Sequence, residues 1–150
     1  MILQIIIGTI LVCFTVVGTT AFIASANALL AKALHSERPD HPSRWFIFAL
    51  SLAVLWMLTA LTLAVWIWAG VFMFLDQFQT FEAATYFSVL CFTTLGVVEG
   101  VVDQQWRLLA GILAANGFIL FSVVTAFLID FYSKCYSVFD ATKQSSSIQT

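Results

Sequence analysis

The residues able to do chemistry gather in one stretch, Thr93-Thr94-Leu95-Gly96-Val97-Val98-Glu99-Gly100, which offers two hydroxyls, a run of main-chain carbonyls and one carboxylate. Three more carboxylates, Asp76, Glu82 and Asp103, flank it, against the single base Arg107. No paired nucleophile and base, Gly-rich phosphate loop or cluster of metal ligands accompanies them. Oxygen groups of this kind suit the stabilisation of a cation rather than catalysis. Cys13, Cys91 and Cys135 are too dispersed for a metal cage, and no disulfide is expected between them. His35 and His41 share a proline-bearing loop, where solvated side chains are the ordinary reading.

The elements that must hold this stretch follow from composition. Of 150 residues 61% are apolar and only 9% charged, with mean hydropathy +0.99. Soluble domains carry about 25% charged residues, so this chain could not cover its own surface in water. A disordered chain would be rich in charge and poor in apolar residues. The net charge of −2 with six basic residues excludes nucleic-acid binding in practice. Uncharged runs at residues 1–31, 45–75 and 108–129 each exceed the roughly 20 residues a spanning helix needs. The run at 83–98 reaches only about 24 Å at about 1.5 Å per residue, short of the roughly 30 Å hydrocarbon core. The expected fold is an all-α membrane protein with three transmembrane helices and a re-entrant half-helix. Nothing basic precedes Ile2 and the first run is too long for a signal peptide, so it is read as a retained helix.

Lys32, Arg38 and Arg44 lie between the first two spans, and Lys134 and Lys143 follow the last. Basic residues favour the cytoplasmic side, which places the N-terminus outside and the C-terminus in the cytoplasm. Pro39 and Pro42 bound the helices around the inner loop, and residues 140–150 are expected to be disordered. Trp45, Trp66, Trp68 and Trp106 read as interfacial belt residues, and Trp56 as buried against a neighbouring helix. Thr80 is suited to cap the half-helix, with Glu82 at its positive end. Its other end, near Phe92 and Thr93, would aim unpaired carbonyls into the membrane. Non-helical backbone at that depth must be buried in protein or line water.

The segment Tyr86-Phe87-Ser88-Val89-Leu90-Cys91-Phe92-Thr93-Thr94-Leu95-Gly96 resembles the pore helix and the first half of the selectivity filter of tetrameric potassium channels. Trp106-Arg107-Leu108-Leu109-Ala110, Asn116-Gly117 and Val124-Thr125-Ala126 are similar to that family's inner helix. The resemblance, to small prokaryotic members, implies a pore module at 45–132, with outer helix 45–75, pore helix 80–92, filter 93–100 and inner helix 106–132. Residues 1–34 would be an added N-terminal helix and 133–150 a cytoplasmic tail. It implies a homotetramer in the bilayer of a prokaryotic inner membrane, with no cofactor other than permeating potassium or sodium. Filter residues would be Thr93, Thr94, Leu95, Gly96, Val97, Val98 and Glu99, with monovalent cations held at Thr94, Leu95, Gly96 and Glu99. Gly117 would be the gating hinge, and Phe118, Phe121, Thr125 and Ile129 would line the cavity.

The departures shape the function expected. Where the family has Gly-Tyr-Gly-Asp this chain has Gly96-Val97-Val98-Glu99, and a β-branched residue resists the positive φ of the second filter glycine. Leu90, behind the filter, brings no polar partner. A ring of Glu99 carboxylates would select cations by field strength, which makes a weakly selective cation channel the leading reading. Two alternatives stay open: a non-conducting homologue sealed by Val97 and Val98, serving as scaffold or partner subunit, and a potassium-selective pore with a shortened filter. Blander roles stay open for single residues. Thr93 and Thr94 can bond back to their own helix, Glu99 can pair with Arg107, Gly117 can serve close packing, Asn116 can hydrogen-bond between helices, and Asp130 can pair with Lys134.

Overall fold

The computed structural model describes residues 2–36, 42–96 and 101–147, with side chains for 2–29, 44, 46–96 and 101–137. The expectations placed on Val97, Val98, Glu99 and Gly100, and on residues 37–41 of the loop expected at 35–44, lie outside these residues; the rest of that loop is helical, His35 and Ser36 ending the first helix and Pro42, Ser43 and Arg44 opening the second. Four α-helices follow one another: α1 (Ile2–Ser36), α2 (Pro42–Phe74), α3 (Phe81–Phe92) and α4 (Arg107–Ser147), the last entered through a 3-10 turn at Gln104–Trp106. The stretches Ile2–Leu29, Phe46–Phe74 and Gln104–Ser137 are long and apolar enough to cross a bilayer, and α3 is not. The chain is an integral membrane protein of the all-α class.

Local chemistry sets the boundaries. Pro42 opens α2 at the first helical position, where its missing N–H costs nothing. Helix α4 continues to Ser147, past residue 132 where the inner helix was expected to end and through most of the stretch expected to be disordered. No glycine or proline occurs at 133–147, so nothing in the sequence interrupts the helix.

The core forms where α2, α3 and α4 meet. Helix α2 buries Met57, Leu61, Ala64, Trp68 and Phe72, a stripe at helical spacing. Helix α4 answers with Leu109, Leu113, Asn116, Leu120, Val124, Phe127 and Phe131. Near the α2–α3 turn the rings of Phe72, Phe78 and Phe87 pack on one another at centroid distances of 5.2–6.3 Å, tilted or edge to face. Trp68 belongs to this stripe and is fully buried, so it is no belt residue; Trp66, off the stripe, is half exposed and lies against Phe81. Trp56, expected to be buried, is partly exposed. It does pack on a neighbouring helix, its Nε1–H donating to the Phe22 carbonyl at 3.3 Å and to Ser25 Oγ at 3.2 Å.

Helix α1 docks on α2 and α4 of its own chain. Gly8 lies against Ile112, whose Cδ1 would be 2.6 Å from a Cβ there. Further along, Asn116 Nδ2 donates to Thr15 Oγ1 at 3.0 Å, and Thr15 Oγ1 stands 3.2 Å from Asn116 Oδ1. Both residues are buried, which fits the interhelical role open to Asn116. Lys134 Nζ, paired with Asp130 one turn away, also reaches Asn27 Oδ1 at 3.5 Å.

Leaving one member of a buried pair without its partner destabilises the packed helices. Asn116→Leu is expected to lower stability by about 1 kcal/mol in mixed-micelle unfolding, with a coupling of about 0.6 kcal/mol to Thr15→Val in a double-mutant cycle. Strict additivity of the two substitutions would show that the pair contributes nothing.

Candidate ion-conduction site

Helix α3 is fixed at both ends. Thr80 is its N-cap, with φ −129° and ψ 144°, and its hydroxyl accepts from the Ala83 N–H at 3.3 Å, as the sequence suggested. Glu82 sits in the first turn, where a carboxylate complements the helix dipole. At the other end Thr93 N–H donates to Val89 O at 2.9 Å, Thr94 N–H to Cys91 O at 3.0 Å and Leu95 N–H to Leu90 O at 3.0 Å. This is a Schellman termination, with Thr94 in the left-handed position at φ 58°.

The carbonyls of residues 89–91 are therefore paired within the chain, so the expectation of unpaired carbonyls at this helix end is confined to Phe92 and Thr93. The termination wraps the chain back over the last turn and satisfies those of 89–91 locally. The Thr93 hydroxyl is engaged too, donating to Val89 O at 2.8 Å. What α3 presents beyond its end is the backbone of Thr94, Leu95 and Gly96, the last at φ 138°. All three are exposed within the single chain, Leu95 at 79%.

The depth of this backbone is set by α4. A Cβ at Gly117 would lie 2.0 Å from the Phe92 carbonyl oxygen and 2.8 Å from its carbon, so only glycine admits the end of α3 there. Gly117 stands about 15 Å along α4 from Arg107, half the thickness of a hydrocarbon core. One turn further, Phe121 meets the Phe92 ring edge to face at 5.4 Å. Phe118, Phe121, Thr125 and Ile129 are all exposed in the single chain, Phe118 at 70%, and the Thr125 hydroxyl returns to the Phe121 carbonyl at 2.8 Å.

The structure thus brings Phe92, the last residue of α3, together with Gly117 and Phe121, and Thr93, Thr94, Leu95 and Gly96 follow directly after it in the chain. It also reveals a residue that sequence reasoning passed over. Gln77 in the α2–α3 turn bonds to Asp103, just after the proposed filter, through both its amide oxygen and its amide nitrogen. A glutamine in a turn carries no motif, and its partner lies 26 positions away, so no local pattern could have marked it.

The model of a family described as ion channels matches residues 60–134, half of the chain, from the middle of α2 through most of the apolar part of α4. No curated protein and no solved structure matches the chain significantly.

Gly117→Ala is expected to cost about 3 kcal/mol or to prevent folding, because backbone rather than a flexible side chain occupies the space. Gly111→Ala, with nothing within 4 Å, is expected to be neutral or mildly stabilising. Thermal unfolding of the two purified variants in detergent checks the contrast, and equal midpoints would remove Gly117 from the packing account.

Proposed function

Because this chain belongs to the ion-channel family, we propose that four copies surround a central path and conduct monovalent cations, potassium and sodium, with weak selectivity. The observation that carries this reading is the exposed, non-helical segment Thr94, Leu95 and Gly96 that follows Phe92, the residue seated on Gly117. Main-chain polar groups at that depth cannot face lipid, because nothing there would satisfy them. Facing further copies of the chain across a wet axis, their carbonyls form rings that replace an ion's hydration shell. The exposed row Phe118, Phe121, Thr125 and Ile129 continues below as the wall of a cavity.

Weak selectivity follows from the next residues. Val98 resists the left-handed geometry that a potassium filter needs at its second glycine, so the path beyond Gly96 is wider or differently shaped. A ring of Glu99 at the mouth, with Asp76, Glu82 and Asp103 behind it, attracts cations without distinguishing closely among them. The close seat of Phe92 supports a packing role for Gly117 and restricts bending there to motions that carry α3 along. The distribution of Lys and Arg supports an outside N-terminus and a cytoplasmic C-terminus.

Purified protein in planar bilayers under opposed potassium and sodium gradients is expected to reverse near zero potential. Reversal at the potassium potential would establish the shortened selective filter instead, and silence from a verified tetramer would establish the non-conducting homologue. Glu99→Gln is expected to lower conductance at 10 mM salt by about threefold and to matter little at 1 M, where the Debye length falls to about 3 Å. Unchanged conductance at low salt would take Glu99 out of the mechanism.

A further inference from the structure

The end of α2 carries the same termination as α3. Asp76 N–H donates to Met73 O at 2.9 Å and Gln77 N–H to Phe72 O at 3.1 Å, with Asp76 left-handed at φ 53°. The main chain of Gln77 is therefore pinned to α2. Its side chain uses every hydrogen it can offer. Nε2 donates to Leu75 O at 3.0 Å and to Asp103 Oδ2 at 3.4 Å, while Oε1 accepts from the Asp103 N–H at 3.0 Å. A main-chain N–H can only donate and a main-chain carbonyl can only accept, so the amide has one orientation that satisfies both.

Asp103 is where the chain leaves the proposed filter. Its carbonyl accepts from Trp106 N–H at 2.8 Å to start the 3-10 turn into α4, and the neighbouring Val102 is buried. The filter segment is thus held at two points: by the α3 end on Gly117, and by Gln77 on Asp103. Among the described residues between them, Thr94, Leu95 and Gly96 are exposed.

We propose that Gln77 is a positioning residue for conduction, clasping Asp103 to the end of α2 and so fixing the far end of the filter segment and the direction of the Asp103 carboxylate at the mouth. The inference rests on the conduction reading above. Without the clasp Asp103 keeps its bond to Trp106 and Val102 stays buried, but the link from this end of the segment to α2 is lost, and the carbonyl rings lose their spacing while α3 and α4 stay in place. The expected failure is a filter that loses discrimination and shuts during conduction, not a protein that unfolds.

The test compares wild type, Gln77→Ala, Gln77→Glu and Asp103→Asn in planar bilayers, reading the potassium-to-sodium permeability ratio and the decline of current at constant voltage. Gln77→Ala, which removes all three of these side-chain bonds, is expected to speed the decline about fivefold and to shift the permeability ratio about twofold. Gln77→Glu, equal in length and therefore least disturbing to assembly, loses the donated bonds and should move both readouts the same way. Asp103→Asn keeps the main-chain N–H and a side-chain oxygen, so it should preserve decline and ratio while lowering low-salt conductance. A decline that follows the charge, altered in Asp103→Asn and unaltered in both Gln77 variants, overturns the inference while conduction stands. A silent wild type overturns the conduction reading and this one with it.

Discussion

The fold around the site depends on the absence of one side chain. A helix too short to cross a bilayer must rest its terminal turn on something, and α3 rests its last carbonyl on the bare backbone of Gly117. No other residue leaves room for an oxygen there. That approach sets how deep α3 reaches, and so where Thr94, Leu95 and Gly96 emerge. The ring of Phe92 against Phe121 and the aromatic group around Phe72, Phe78 and Phe87 keep the half-helix from sliding along or swinging away from its seat. The arrangement is a wedge, with α3 driven between α2 and α4 until main chain meets main chain.

Helices α2 and α3 both end in Schellman terminations without a glycine at the left-handed position. Aspartate tolerates φ 53° at Asp76, because its short polar side chain can bond locally. Threonine does not tolerate it easily: β-branching makes φ 58° at Thr94 a strain of about 1–2 kcal/mol. The main-chain bonds from Thr93, Thr94 and Leu95 over-determine the turn and hold it.

Much of this was legible in the sequence, for identifiable reasons. Charge-free runs disclosed the three spans, because lipid imposes a length that residues such as Lys32 and Asp76 interrupt. Thr80 and Glu82 marked the start of α3, because caps are local chemistry. Asn116 was open to an interhelical role for the simple reason that an amide in a membrane needs a partner. Other features depend on the fold. Trp68 was read by its distance from a span end, but its stripe with Leu61, Ala64 and Phe72 decides its burial. The pairing of the carbonyls at the end of α3 depends on Thr94 adopting a conformation that threonine rarely takes, against its own propensity. Gly117 has the same text whether it bends a helix or seats one. Gln77 becomes meaningful only when residues 26 positions apart are brought together.

The pairing of Thr15 with Asn116 also bears on how the protein enters the bilayer. Membrane insertion follows the order of synthesis, so α1 meets lipid before α4 exists. It can wait there unaided, because the Thr15 hydroxyl also lies within bonding distance of the Leu11 and Val12 carbonyls of its own helix, at 2.9 and 3.0 Å. The Asn116 amide makes its bond to Thr15 on the other helix. When α4 arrives carrying Asn116, its acceptor is already in the membrane. The helix that supplies the polar partner is thus made before the one that needs it, and α4 enters a membrane in which its docking surface on α1 is already present.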